Sequence, residues 1–205
     1  MAPKKKVRSS SKPKNQNKLW IAIALIVLLV ISVGVYFALA NQVPNTISPT
    51  QVLLHTSAGD ITIDLRTDKP ITSSNFINFV KDDKYDGTTF YRTISGFMIQ
   101  GGKINSDIPT IKDEIGSNNR NVNYTIAMAK NSQPNSATSE FFINVADNGQ
   151  FPNFDSTYTV FGTVIAGKDV VDAIANAPVT ENPNMPGEMS NPVNPVMIIE
   201  TTIVS

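Results

Sequence analysis

The sequence contains no cysteine and only one histidine, His55. The absence of thiols excludes disulfide bonds, cysteine nucleophiles and thiolate metal ligands, and a single histidine cannot build a histidine-rich zinc site. A Ser-His-Asp triad would have to use His55, which lies in the apolar run "VLLHT" beside a predicted strand. A packed or edge histidine is the better interpretation there. We therefore expect no metal and no other cofactor.

Acidic residues are missing from the first part of the chain, although the formal charge of the whole chain is zero. Residues 1–40 contain seven Lys or Arg and no acid. Residues 41–205 contain ten basic and seventeen acidic residues, a net charge of −7. A domain with this excess of acid is poorly suited to binding phosphate backbones. We therefore expect no nucleic-acid partner.

One long hydrophobic run is present, and it lies near the amino terminus. Residues 21–40 carry no charge, and twenty helical residues cross about 30 Å of hydrocarbon. Trp20 and Tyr36 lie near the ends of the run, where amphipathic rings favour the headgroup level. Because cations flank the cytoplasmic side of a membrane helix, we predict a basic cytoplasmic tail over residues 1–19 and a transmembrane signal-anchor helix over residues 20–40, with the rest of the chain extracytoplasmic.

Two alternatives concern this amino-terminal region. "FALA" before Asn41 fits the small-x-small pattern of signal-peptidase cleavage, and cleavage after Ala40 would give a secreted protein. "APKKKVR" resembles a nuclear import patch, but it is explained more simply as the positive flank of the membrane helix.

The chain after the hydrophobic run divides into a linker and a domain. Residues 41–51, "NQVPNTISPTQ", are polar and contain two prolines, so they are predicted to form an extended linker. Residues 52–205 form the working domain. A chain of that size can bury about two-thirds of its unfolded surface and needs no disulfides or metal.

The domain shows the patterns of many short strands and two helices. "ITIDL" alternates apolar and polar residues as a half-buried strand does. One helix is predicted from Pro70 to the stop at Gly87, and a second in "GKDVVDAIANAP". The proline-rich "VTENPNMPGEMSNPVNP" is predicted to be a loop. Without a βαβ rhythm, these elements indicate a mainly β fold, a closed antiparallel barrel with helices over its ends.

Arg92 and Gln100 stand among large apolar residues in "TTFYRTISGFMIQGGK". An apolar pocket edged by one Arg and one Gln offers neither a nucleophile nor a base. It suits holding an apolar ring while donating hydrogen bonds to nearby amides. Composition alone favours the alternative, in which Phe97 and Phe142 are ordinary core residues and Arg92 is a surface strand residue.

A serine hydrolase is a further alternative. It would use Ser136 or Ser139 with Lys130, but these serines lie in the polar "NSATS" segment and no activating geometry can be argued from the sequence.

Two separated segments carry a family resemblance: "FYRTISGFMIQGGK" and "PNSATSEFFINVADN" with the following "FDSTYTVFGTVIAGKDVVDAI". They resemble the signature segments of the cyclophilins, the peptidyl-prolyl cis-trans isomerases, and the resemblance extends over residues 52–204. It implies a closed eight-stranded antiparallel β-barrel capped by two α-helices. It also implies proline-containing polypeptides as substrates, and we expect a monomer that meets the membrane only through its amino-terminal helix.

The resemblance also implies which residues form the site. Arg92 is in the position of the family's catalytic arginine, and Ala129 and Lys130 would present backbone to the substrate. Glu140 stands where many members have glutamine, and Tyr158 where many have histidine. The implied substrate-binding residues are Phe97, Met98, Gln100, Ala129, Lys130, Glu140, Phe142, Phe154 and Tyr158.

The implied function is acceleration of rotation about Xaa-Pro bonds during the folding of exported proteins, with Arg92 stabilising the twisted amide. The alternative is a non-catalytic module that binds proline-containing segments or acts as a chaperone. Glu140 and Tyr158 keep this alternative open because they depart from the family's usual residues.

Overall fold

The computed structural model describes residues 20, 27, 28, 31 and 50–204. The chain divides into two units, Met1–Val43 and Pro44–Ser205. The predicted basic tail and almost all of the predicted transmembrane segment and linker lie outside the described residues. Within the described residues, no helix has the length and apolar character needed to span a membrane.

The second unit is built mainly from β-strands. Over residues 50–204 it contains ten strands, two α-helices and a short 3₁₀ helix at Asn148–Gln150. The strands are β1 Thr50–Thr56, β2 Gly59–Leu65, β3 Arg92–Ile94, β4 Met98–Gly101, β5 Thr125–Met128, β6 Phe141–Asn144, β7 Val160–Ala166, β8 Val179–Asn182, β9 Met185–Pro192 and β10 Ile198–Ile203, and the helices are α1 Pro70–Lys81 and α2 Lys168–Ala175.

Eight of the strands form one antiparallel sheet in the order β10-β1-β2-β7-β5-β6-β4-β3. The mainly β fold with eight strands and two helices is confirmed, but the prediction of a closed barrel is wrong: the sheet is curled and open. Within the described residues no ladder joins β3 to β10. The strand β3 has only three residues, and the segments preceding these two strands meet at a single bridge, Thr89 with Met197.

Alternation in β2 separates a core face from an outer face, as predicted. In β2, Ile61, Ile63 and Leu65 are buried while the residues between them are not. The core is rich in aromatic rings, and Phe76 of α1 lies 5.0 Å from Tyr85 between ring centroids. Further rings at tilted or edge-to-face angles complete this cluster, an arrangement that stabilises beyond the buried area alone: Phe90, Phe141 and Phe161.

The predicted proline-rich loop is instead a β-hairpin, which corrects that prediction. Strands β8 and β9 pair antiparallel with two register shifts. Asn182 accepts a hydrogen bond from the backbone of Asn184 in the turn, and the N–H of Gly187, at φ +87°, donates to Glu181 at 2.7 Å. The prolines are accommodated because a two-stranded hairpin leaves outward N–H groups without a partner strand.

Candidate active site

Arg92 and Gln100 are direct neighbours across two strands. The turn at Ser95 and Gly96 reverses the chain, with Gly96 at φ +70°, and β3 then pairs with β4 so that Arg92 lies opposite Gln100. In the next pairing, Gln100 lies opposite Phe142 of β6. The spacing of eight residues in sequence is therefore the spacing of a short hairpin, and it places a guanidinium, an amide and an aromatic ring in one row.

Alternation along β4 directs neighbouring side chains to different clusters. Ile99 belongs to the main core, whereas Met98 belongs to a second buried cluster with Ala127, Phe142 and Val160. Because side chains two apart share a face, Met98 and Gln100 lie on the same side of the sheet. Two members of this second cluster, Met98 and Phe142, line a pocket.

The pocket has a volume of about 360 Å³. It collects nine of the ten residues that the sequence predicts for the site, and it adds Met185 from β9. Glu140 is the predicted residue that does not line it. The lining residues are Arg92, Phe97, Met98, Gln100, Ala129, Lys130, Phe142, Phe154, Tyr158 and Met185.

Four aromatic rings form one wall of the pocket. Phe142 lies 5.4 Å from Tyr158 and 5.9 Å from Phe154 between ring centroids, and Phe154 lies 4.7 Å from Tyr158. Phe97 completes the wall at 5.7 Å from Phe154. Edge-to-face and tilted pairs of this kind hold each ring in a fixed orientation. The wall is therefore a preformed apolar surface.

A buried asparagine fixes the segment that carries two of these rings. The side chain of Asn119 donates to the carbonyl oxygens of Asp155 and Tyr158 at 2.6 and 2.8 Å, and its own oxygen accepts from the N–H of Val160. Asn121 contributes a longer contact to the same Tyr158 carbonyl at 3.3 Å. No local sequence signal marks these two residues, because they stand in an irregular stretch with several asparagines.

The guanidinium of Arg92 is held by a carboxylate from the β8–β9 hairpin. Its Nε and Nη2 donate to the two oxygens of Glu188, each at 2.7 Å. Its Nη1 makes a longer contact to Oε1 of Gln100 at 3.3 Å. The hydrogen bonds from Arg92 lower the pKa of Glu188 to about 2, and the same pairing raises the pKa of Arg92. Both groups are therefore ionised at neutral pH.

The amide of Gln100 is part of a second polar group. Its Nε2 donates to Glu140 at 3.0 Å and contacts the hydroxyl of Tyr91 at 2.6 Å. The Tyr91 hydroxyl donates a short hydrogen bond to the same Glu140 oxygen. Burial and the bond to Glu140 raise the pKa of Tyr91. Glu140 thus acts on the pocket through Gln100 rather than lining it.

The residues considered for a serine hydrolase do not form a catalytic site. The ammonium of Lys130 donates to Asp113 at 2.6 Å, with both side chains largely buried. The hydroxyl of Ser136 donates to the carbonyl oxygen of Gln133 at 2.7 Å. His55 lies in β1, where its ring contacts Asp60 at 2.6 Å. Within the described part of the chain, no cluster of three or more acidic or histidine side chains could hold a metal ion.

Two site residues were missed from the sequence, Met185 and Glu188. Both belong to the segment that was predicted to be a loop, and Glu188 is 96 residues from Arg92 along the chain. Nothing in the local sequence of Glu188 distinguishes it from the other acids of the domain.

Comparisons with known proteins identify the family to which this chain is similar. The family model described as cyclophilin type peptidyl-prolyl cis-trans isomerase/CLD matches residues 51–203. A peptidyl-prolyl cis-trans isomerase of Acinetobacter baylyi is 43% identical over 170 residues, which cover 78% of this chain and 89% of that protein. A crystal structure of the cyclophilin-type isomerase of Cryptosporidium parvum superposes with a TM-score of 0.67 at 24% identity, covering 77% of this chain and 99% of that one. A second structure of that protein, in the presence of the dipeptide Ala-Pro, gives a TM-score of 0.65 at 24% identity and covers 76% and 99%.

Proposed function

The chain belongs to the cyclophilin-type peptidyl-prolyl cis-trans isomerases, and on that basis we propose that Arg92 is the residue that lowers the barrier to rotation about the Xaa-Pro bond. The chain is a peptidyl-prolyl cis-trans isomerase with proline-containing peptides as substrates.

The reaction needs no proton transfer and no covalent intermediate. Amide resonance gives the planar bond a rotation barrier of roughly 18–20 kcal/mol, so the uncatalysed reaction takes tens of seconds or more. Lowering the barrier to about 13 kcal/mol would give on the order of a thousand events per second. The site must therefore stabilise the twisted amide by roughly 6 kcal/mol more than either planar form.

The apolar wall suits the proline ring of the substrate. Met98 and Phe142 are buried and form the floor, with Phe97 beside them. A ring held against this surface fixes one side of the Xaa-Pro bond while the rest of the peptide can turn. Orientation of this kind contributes to catalysis because the reacting bond is held near the geometry of the transition state.

Arg92 provides the charged donor beside that ring. When the amide twists, the lone pair of its nitrogen localises, and a hydrogen bond to this nitrogen or to the prolyl carbonyl becomes stronger. Glu188 occupies the edge of the guanidinium formed by Nε and Nη2. The edge that carries Nη1 is left for the substrate, since the contact of Nη1 to Gln100 is long at 3.3 Å. The location of this donor among the residues lining the apolar pocket is the observation that carries the proposal.

Exchange spectroscopy, which measures the rate of cis/trans interconversion of an Ala-Pro peptide, tests the proposed role of Arg92 in the full-length protein. Replacing Arg92 with Ala is expected to lower the exchange rate at least about a hundredfold, the size seen when one well-placed transition-state donor is removed. Arg120→Ala is the matched control, because Arg120 is exposed and bonds Asp155 outside the lining of the pocket. Binding of the peptide by the wild type without accelerated exchange would favour the non-catalytic binding module instead.

We also propose that residues 20–40 anchor the enzyme, with the domain outside the cytoplasm and acting on exported proteins. The support is the uncharged run and the seven preceding cations. The full-length protein should remain in membranes after an alkaline wash. Recovery of a soluble form that begins at Asn41 would favour cleavage and secretion.

A further inference from the structure

We infer that Glu188 is a positioning residue for catalysis: it fixes the guanidinium of Arg92 so that Nη1 faces the substrate pocket. This inference rests on the proposed role of Arg92. Glu188 comes from the β8–β9 hairpin and not from either segment that carries the family resemblance, so it extends the active site to an element that the sequence motifs do not contain.

The geometry of the pair restricts the guanidinium in two ways. A guanidinium is planar, and a carboxylate that accepts from two of its nitrogens fixes both its position and the orientation of its plane. Here the two contacts are of equal length, from Nε and Nη2 at 2.7 Å each. The remaining nitrogen, Nη1, is therefore set in one direction. A single hydrogen bond would leave the side chain free to turn about that contact.

Two other side chains of the hairpin hold Glu188 in place. The hydroxyl of Ser190 donates to Oε1 of Glu188 at 2.6 Å, and the amide of Asn182 donates to Ser190 at 2.9 Å. Ser190 is fully buried and Asn182 is 7% exposed. This row of side chains connects the interior of the hairpin to Arg92, so the carboxylate cannot change rotamer without breaking buried hydrogen bonds.

The ion pair between Arg92 and Glu188 is partly shielded from solvent. The side chains of Arg92 and Glu188 are 18% and 28% exposed, whereas fully exposed ion pairs contribute little because water competes for both partners. The same strand places Met185 at the pocket. The hairpin therefore contributes one residue that lines the pocket and one that orients the catalytic group.

The test compares Glu188→Gln and Glu188→Asp with the wild type in the exchange assay on an Ala-Pro peptide, using the full-length protein. A glutamine keeps the size but has only one oxygen to accept from Arg92, so we expect kcat to fall about tenfold with KM nearly unchanged. Glu188→Asp keeps both acceptor oxygens and should recover part of the lost rate. Glu200→Gln is the matched control, because Glu200 is exposed on β10 and does not line the pocket.

Two further readouts separate positioning from a general effect on the hairpin. In the Arg92→Ala background, Glu188→Gln should have no additional effect, because residues that act through one another are not additive. The NMR signal of the Arg92 Nε–H should shift and exchange faster with water in Glu188→Gln. An unchanged or higher kcat in Glu188→Gln, or an equal tenfold loss in the Arg92→Ala background, would overturn the inference.

These outcomes also distinguish the two proposals. If Arg92→Ala keeps wild-type turnover, the proposed role of Arg92 fails. If Arg92→Ala loses turnover while Glu188→Gln does not, only the positioning role fails. A thermal melt identifies any variant that does not fold. If Glu188→Gln does not fold, Glu188→Asp is compared with the wild type instead.

Discussion

Gln100 donates a hydrogen bond from Nε2 to Oε2 of Glu140 at 3.0 Å, and this contact determines which end of the amide faces Arg92. A carboxylate can only accept hydrogen bonds, so the NH₂ group of Gln100 must point to it. The carbonyl oxygen is then left on the side of the guanidinium. Glu140, which the family resemblance implied as a substrate-binding residue, thus orients the amide of Gln100.

The first prediction follows from this orientation. Gln100→Glu would place a second carboxylate about 3 Å from Glu140, and two like charges that close raise the pKa of one of them. We expect turnover of Gln100→Glu to be well below that of the wild type at pH 8. As the pH is lowered towards 5, one of the two acids becomes protonated and can donate a hydrogen bond, so the ratio of variant to wild-type turnover should rise. Exchange rates measured across this range check it.

A swapped pair provides the control for that prediction. Adding Glu140→Gln to Gln100→Glu restores one amide and one carboxylate, and should remove the relative pH dependence. A variant Gln100→Glu whose rate follows the wild type at every pH would show that the contact has no influence on the site.

The second prediction concerns the aromatic wall. The hydroxyl of Tyr158 makes no hydrogen bond to any of the described residues, whereas its ring contacts Phe142 and Phe154. We therefore expect Tyr158→Phe to keep wild-type kinetics. Tyr158→Ala loses both ring contacts, together worth about 1–3 kcal/mol, so KM should rise roughly tenfold. Equal kinetics in the Ala and Phe variants would show that the wall does not contact the substrate.

The third prediction explains the second glycine of "IQGGK". Gly102 has φ +73°, and a Cβ built there would lie 2.6 Å from the ring of Phe141 and 3.0 Å from that of Tyr85. Gly102→Ala therefore combines left-handed backbone strain with overpacking of the aromatic core and should lower the free energy of unfolding by about 2–4 kcal/mol. Denaturant unfolding measures this loss.

Gly96 is the matched control for that substitution. It has a similar φ of +70°, but among the described residues no atom lies within 4 Å of a Cβ built on it. Gly96→Ala should therefore cost only the backbone term, about 1 kcal/mol. Equal losses for the two variants would contradict the close packing at Gly102.

The fourth prediction is a pH dependence of stability. The pKa of Glu188 is lowered from 4.5 to about 2 because Arg92 donates to the carboxylate in the folded protein. A carboxyl group with a depressed folded pKa stabilises the fold above its unfolded pKa, and this contribution is lost as the pH falls from 4.5 towards 2. The wild type should be more stable than Glu188→Gln at pH 7, with the difference shrinking through this window. A constant difference in unfolding free energy between pH 7 and pH 3 would contradict the ion pair.

Local patterns predicted much of this domain, and the failures have common physical causes. Alternation in β2 depends only on neighbours in sequence, so this strand and its buried face could be predicted. The open edge of the sheet could not, because it depends on whether β3 and β10, about a hundred residues apart, form a ladder. Within the described residues they form none, and only the segments that precede them are bridged, at Thr89 and Met197.

The hairpin and Glu188 were missed for a related reason. The prolines in residues 179–195 favoured a loop, yet a two-stranded hairpin tolerates them. The partner of Glu188 is 96 residues away, and no local pattern marks a carboxylate that will meet a guanidinium from a distant strand. Residues in the signature segments could be assigned to the pocket, whereas the groups that orient them required the structure.

The most direct test of the account measures binding and turnover in the same Arg92→Ala sample, with an Ala-Pro peptide and the full-length protein. If Arg92 stabilises the twisted amide more than the planar one, exchange should fall at least about a hundredfold while the peptide Kd changes by less than about threefold. Equal losses of binding and turnover would contradict the account, because Arg92 would then contribute only to holding the peptide.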